Sequence, residues 1–258
     1  VKGLYTAYTG MINEQNRMDI MTNNLANAST VGYKKEGSTS QSFDDVLTVK
    51  IKDQSVGMRN VQRLGVKNPG VKIGENYTDY SQGSFRITGN TYDLALSGEG
   101  FFAIEFTNKA GETDTKYTRA GQFTLNKDGY LVTEEGDYVL DTQNRRIRLN
   151  TLIDSSITDD GTIYQNGQAV AKIQVTDFED YDYLEKYGET YYQPIQGAKT
   201  IAAKAQVKSG YLEMANVQIV SEMVNLISIT RAYESNQKVV QTIDDTLDVA
   251  VNQIGRVQ

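Results

Sequence analysis

Few residues in this sequence are equipped for covalent or metal chemistry. Its 258 residues include no His and no Cys, which excludes thiolate and imidazole zinc sites, Cys nucleophiles and any triad with a His base. Acid–base work by paired carboxylates needs neither residue, so glycoside hydrolysis stays open. The acidic residues placed for it are Glu99, Asp128, Glu134 and Glu135, all in or beside glycine turns. In such turns a carboxylate is ordinarily a solvated turn former, and no spacing among these four marks a facing pair. Asp177, Glu179, Asp180 and Asp182 are concentrated between residues 177 and 183. Their charge suits Ca²⁺, but the segment lacks the central glycine and distal Glu of an EF-hand loop and reads as an exposed acidic strand end. The run Ser97-Gly98-Glu99-Gly100 has strand-like residues on both sides. A phosphate cradle needs a helix N-terminus there, so the run reads as a turn. No cofactor, metal or catalytic residue is expected.

The electrostatics exclude further classes of partner. Lys and Arg number 26 against 33 Asp and Glu, a formal charge of −7. That balance argues against binding nucleic acid or an anionic lipid surface. The hydrophobic fraction is 39% and the mean hydropathy −0.49, a polar composition for a folded chain. Much of the aromatic content is the 17 tyrosines, which suits contacts over wide polar surfaces. No apolar run approaches the roughly 20 residues that span a bilayer, and no cleavable secretory signal is evident.

The elements that must position these residues fall into a helical pair of ends and a β middle. From Lys2 to about Asn27 there is no Pro, and Leu4, Met11, Met18 and Leu25 recur every seven residues. From Tyr211 to Ile254 neither Gly nor Pro intervenes, and Leu212, Ile219, Leu226, Tyr233, Val240, Leu247 and Ile254 repeat the same spacing. Each seam is one row wide, because the accompanying row includes Thr230, Gln237 and Asp244. A two-row coiled coil needs both rows apolar. Burying a single row does not offset the backbone entropy of so long a helix, so the termini are expected to become fixed only when neighbours surround them.

Between Gly70 and Ser209 short alternating runs are separated by glycine turns, the pattern of antiparallel β structure. Phe123–Asn126 and Tyr130–Thr133 flank Lys127-Asp128-Gly129, and Thr162–Gln165 and Gln168–Val170 flank Asn166-Gly167, the dipeptide best suited to a two-residue hairpin. A further turn is expected from Asn108 to Gly111. Lys34 to Gly70, rich in Ser, Lys, Asp, Gln and Gly, reads as an extended connector with a short helix near Phe43 to Val49. The expected class is α+β: N- and C-terminal helices forming a coiled-coil-like domain (1–34 and 210–258), a connector (35–70) and a central, mostly antiparallel β domain (71–209).

Four ordered segments carry a resemblance. Asn23-Asn24-Leu25-Ala26-Asn27-Ala28-Ser29-Thr30-Val31-Gly32-Tyr33-Lys34 resembles the N-terminal signature of the bacterial flagellar axial proteins of rod and hook. Thr88 to Phe102 is similar to the family's central stretch, and Tyr117-Thr118-Arg119-Ala120-Gly121-Gln122-Phe123 to the hairpin after it. Asn216-Val217, Glu222 to Ile227 and Arg231-Ala232-Tyr233-Glu234 resemble its closing motif. The length and central motif look most like the distal rod members. The resemblance implies a structural subunit exported without a cleaved signal through the flagellar type III apparatus. It would assemble helically with copies of itself and with other rod and hook subunits in the basal body of the cell envelope. Neither enzyme activity nor membrane insertion is implied.

On that reading the site residues are interface residues: Leu4, Met11, Met18 and Leu25 along the first helix, with Asn23, Asn24, Asn27 and Gly32 shaping its end. In the second helix they are Leu226, Tyr233, Val240 and Leu247, with Arg231 as a candidate ion-pair or carbonyl contact. The alternative is a secreted carbohydrate-active enzyme using Glu99 or Glu134, or an envelope adhesin with a helical stalk.

Overall fold

The computed structural model describes residues 2–51, 61–108 and 111–252. Two compact units emerge, each from discontinuous stretches of chain. One holds Val1–Leu25, Glu36–Asp79 and Ile219–Gln258; the other holds Ala26–Lys35 and Tyr80–Gln218. The fold is α+β, with helix α1 at Lys2–Ala26, helix α2 at Ile219–Asn252, and antiparallel pairing throughout the described strands between them.

In the first unit, the stretch expected as a connector is a set of β ladders. Glu36–Ser42 pairs with Val71–Thr78, and Val46–Ile51 pairs with Val61–Lys67. No helix forms near Phe43 to Val49, because Leu47 to Ile51 alternates apolar and polar residues at the strand period of two. The first ladder covers a polar row of α1. Asn13 accepts a hydrogen bond from Ser40 at 3.0 Å, Thr6 donates to the Pro69 carbonyl at 3.2 Å, and Asn24 brackets Glu36, accepting its N–H at 2.9 Å and donating to its C=O at 2.7 Å. The buried face of α1 is therefore Ala7, Thr9, Asn13, Ile20 and Asn24. Leu4, Met11, Met18 and Leu25 lie at its half-buried rim. α1 meets α2 where its side chains are smallest: a Cβ at Gly3 would touch Ile243, and one at Gly10 would touch Asn236.

α2 begins later than the seven-residue row implies. Leu212 is in the strand Tyr211–Glu213, paired with Phe85–Ile87, so the row starts in β structure. Absence of Gly and Pro permits a helix but does not impose one, and here the sheet partner decides. Ile254 and the middle of the expected 108–111 turn lie outside the described residues. Among the described residues no helix is long and apolar enough to cross a membrane.

The second unit is built on a sheet whose strand Phe101–Thr107 is buried on both faces from Phe101 to Ile104. Phe102 packs into one core with Leu94, Leu96, Phe123, Leu131 and Ile163, while Phe101 and Ala103 enter a second core with Tyr117, Phe178 and Tyr192. Tyrosines supply much of this second core, with Tyr80 edge-on to Phe101 and Tyr192 tilted against it, ring centres 5.9 and 5.3 Å away. A share of the tyrosines is thus interior rather than on polar surfaces. The expected hairpins form, Phe123–Leu125 with Leu131–Thr133 and Thr162–Gln165 with Gln168–Lys172. The second turns on Asn166 and Gly167, both at positive φ.

Two carboxylate clasps hold this sheet's rim. Arg146 forks Glu105 at 2.6 and 3.0 Å, and that hydrogen-bonded pairing keeps the Glu105 carboxyl below its usual range. Burial would raise the Asp141 carboxyl, but the backbone N–H groups of Arg145 and Gln143 and the Arg145 guanidinium outweigh it and hold it low. A depressed folded value means that each clasp stabilises fully above the unfolded value of about 4. The contribution disappears as pH falls through the folded value. We expect Arg146→Ala to return Glu105 toward the ordinary range in a carboxyl NMR titration, and to reduce the stability lost between about pH 5 and pH 3.

Candidate functional site

The segment leaving α1 turns sharply at its polar residues. Thr30 donates its N–H to the Asn27 carbonyl and its hydroxyl to Asn27 Oδ1, both at 3.1 Å. Val31 then bridges to Met214, and the N–H of Gly32 donates to the Glu213 carbonyl at 2.8 Å. Gly32 has φ +70°, and a Cβ there would lie 2.3 Å from the Ala120 nitrogen. The chain passes against the backbone of residues 119–120 with no room for a side chain.

This path delivers Lys34 to a closed cluster. Lys34 Nζ donates to Glu213 Oε1 and to the Ser81 carbonyl, each at 2.7 Å. Arg119 Nη1 donates to Glu213 Oε2 at 3.3 Å, and the Gly83 N–H donates to Glu213 Oε1 at 2.9 Å. The Arg119 guanidinium also lies 5.3 Å from the centre of the Phe101 ring. Lys34 and Arg119 are 1% and 3% exposed and Glu213 is fully buried. Asn216 seals the rim: its Oδ1 accepts the Lys35 N–H at 2.7 Å and its Nδ2 donates to Ser81 Oγ at 3.0 Å. A buried ion cluster of this kind positions chain segments and is not set up to react, because both carboxylate oxygens are occupied by fixed donors.

The sequence-derived site residues divide accordingly. Asn24, Asn27 and Gly32 are committed to contacts within the chain, and Asn23 is exposed. On α2, Leu226, Tyr233 and Val240 are half-buried, while Arg231 and Leu247 are exposed. The buried positions of that helix are Glu222 and Ile229. Lys34 and Arg119 stood in recognisable segments without an assigned role, and Glu213 was missed. Its signal was an acidic residue inside the apolar run Tyr211 to Ala215.

The carboxylates weighed for chemistry do not converge. Glu99 and Asp128 are exposed in separate turns. Glu134 and Glu135 edge an open groove of about 450 Å³ with Arg86, Gln122 and Tyr191, and neither Glu99 nor Asp128 lines it. Tyr191 donates to Asp137 at 2.9 Å, and burial raises its hydroxyl above the ordinary range, so it serves as a fixed donor. In the acidic segment, Asp177 is buried and accepts from Tyr181 at 2.8 Å, while Asp180 caps the short 3₁₀ turn Tyr181–Tyr183. Among the described residues no three acidic side chains are grouped to hold a metal.

The β body is tied by an internal ion cluster and joined to two long helices that leave apolar side chains exposed, an arrangement that suits a structural subunit. Family comparisons agree in three places. Residues 4–34 match the family described as flagella basal body rod protein, 95–167 the flagellar hook protein FlgE/F/G D1 domain, and 208–254 the flagellar basal body rod FlgEFG protein C-terminal region. The chain is 34% identical to the flagellar basal-body rod protein FlgG of Bacillus subtilis, over 98% of both chains. It is also 34% identical to FlgG of Caulobacter vibrioides, over 96% of this chain and 97% of that one. With the flagellar hook-basal body complex protein FlhO of Bacillus subtilis it shares 30% identity over the full length of both. The chain belongs to the flagellar basal-body rod protein family, which is structural and not enzymatic, and the enzyme and adhesin alternatives find no support. Lys34, Arg119 and Glu213 come one from each matched region.

Removing the shared carboxylate strands buried charge. Glu213→Gln is expected to destabilise the β body by about 3–5 kcal/mol. Lys34→Met, which leaves the Arg119–Glu213 pair in place, should cost less in the same urea titration. Gly32→Ala combines a positive φ with a backbone overlap and should cost more than about 2 kcal/mol in that assay.

Proposed function

We propose that this chain is a subunit of the flagellar basal-body rod, most similar to distal rod members. It assembles helically with other copies into the shaft that links motor to hook, and motility depends on it. Its partners are other copies and the neighbouring rod and hook subunits. It reaches them through the flagellar type III export apparatus, and the absence of Cys suits passage as an unfolded chain. The supporting observation is that both helices carry apolar side chains open to solvent, Tyr5, Tyr8 and Ile12 on α1 and Val220, Val224, Ile227 and Leu247 on α2. Exposed apolar area of that extent on two helices marks a contact surface. The half-buried row of Leu4, Met11, Met18, Leu25, Leu226, Tyr233 and Val240 borders this surface, and Arg231 stands on it.

Epitope-tagged protein, expressed in place of the native chain in the parent bacterium, tests the reading directly. Antibody labelling of purified basal bodies in the electron microscope should mark the rod, and deletion of the gene should leave basal bodies without a complete rod and cells that do not swim. Labelled protein absent from basal bodies, with normal motility after deletion, contradicts it.

A further inference from the structure

Asp or Asn directly precedes glycine at Asp128-Gly129, Asp160-Gly161 and Asn166-Gly167. At such a pair the glycine nitrogen can attack the neighbouring side-chain Cγ, because no Cβ screens it. With Asn the step needs no catalyst: the N–Cγ bond forms, the Cγ–Nδ2 bond breaks, and ammonia leaves carrying the backbone proton. Water then opens the resulting succinimide at either carbonyl, giving Asp or isoaspartate.

The structure separates the three pairs. Gly129 donates its N–H to the Asn126 carbonyl at 3.0 Å, and a Cβ there would lie 2.3 Å from the Leu149 carbonyl oxygen. Gly161 donates its N–H to the Thr158 carbonyl at 2.9 Å. Beside it, hydrogen bonds from the Thr158 and Thr162 hydroxyls keep the Asp160 carboxyl well below its usual range, and an ionised carboxylate resists a nucleophile. Asn166-Gly167 differs on each count. Its electrophile is a neutral amide, residues 166–170 are all exposed, and nothing lies within 4 Å of the position a Gly167 Cβ would take. The ladder closes on Gln165 opposite Gln168, so a two-residue loop makes no use of the Gly167 N–H. The hairpin is also the outer part of a three-stranded sheet formed by Ser155–Ile157, Thr162–Gln165 and Gln168–Lys172, and its ladder shifts register between Ile163 and Tyr164. An exposed hairpin end on an irregular ladder opens locally at low cost.

We infer that Asn166 is a site of spontaneous deamidation, through a succinimide formed with the Gly167 nitrogen when this hairpin opens. The intact turn holds both residues at positive φ, 50° and 75°, and delays ring closure until that opening. Either product adds a negative charge to a chain already at −7. Isoaspartate also adds one atom to the main chain. A two-residue loop lengthened in this way no longer brings Gln165 opposite Gln168, so this product loosens the hairpin.

Peptide mapping of the full-length chain, aged in mildly alkaline buffer, tests the site. Asn166 is the one Asn that precedes glycine, and it is expected to convert at least about ten times faster than any other asparagine, with isoaspartate among the products. The rate should rise with hydroxide concentration, since the attacking amide must lose its proton. Conversion should be slower than in the chain unfolded in guanidinium, yet continue while the strand Phe101–Thr107 stays protected from hydrogen exchange. As a second measurement, the isoaspartate form should exchange amide hydrogens across residues 163–170 faster than the Asn166→Asp variant, whose main chain is unaltered. An Asn166 that ages no faster than the other asparagines overturns the inference, as does conversion only when that strand also opens. Equal reaction at Asp128 or Asp160 overturns it too, because the hydrogen bonds that set those turns apart would then count for nothing. Isoaspartate that leaves exchange across residues 163–170 unchanged contradicts the loosening.

Discussion

The carboxylate of Glu213, fully buried, takes hydrogen bonds from Lys34, Arg119 and the backbone of Gly83, while its own carbonyl takes one from Gly32. Stretches of chain up to about 180 residues apart are thereby tied to one residue, a separation at which loop closure alone gives no preferred register. Stripping water from three charges is expensive, and an apolar core of equal volume would hold the body at least as firmly. What the cluster adds is placement. The segment after α1 must dock where the segment before α2 passes, and the bridge from Val31 to Met214 makes that pairing one residue wide. The segment that follows α1 and the segment that precedes α2 thus lie side by side in the β body.

From that constraint comes a division of labour. The β body covers its central strand: Phe101 to Ile104 are buried on both faces of the sheet, and that strand is hydrogen-bonded to neighbours on each side. The helices are less covered. α1 spends its polar row on the ladder of residues 36–42 and 71–78 and its glycines on α2, leaving tyrosines outward. α2 buries only Glu222 and Ile229 among its described positions. A helix this long with so little of its apolar surface covered is incomplete as a monomer element, which is the physical content of calling the chain a structural part.

Much of this was legible in the residues, for reasons that can be named. The absence of His and Cys, the glycine turns around Asn166-Gly167 and the seven-residue rows depend on local chemistry, which sequence displays directly. Three features were not local. Residues 35 to 70 are polar enough to pass for a connector, yet 36–42, 46–51 and 61–67 are strands, because each ladder and the row Asn13, Ser40 and Asn24 supply hydrogen bonds that only the folded pair provides. Leu212 continues a helical row by spacing, yet belongs to a strand because Arg86 lies opposite and Glu213 is drawn into the ion cluster. The rows themselves marked where the helices are; along α1 the rim residues Met11 and Met18 are half-covered while the neighbouring Tyr8 is exposed.

Residue-resolved hydrogen exchange on the dilute, full-length chain tests the central claim most directly. If the Glu213 cluster ties residues 31–34 and 211–214 into the β body, their amides exchange only with its global opening, as slowly as those of Phe101 to Ile104. The outward turns of α1 and α2 then exchange orders of magnitude faster. Exchange of residues 31–34 at the rate of the helices, with the strand Phe101–Thr107 still protected, would contradict the account.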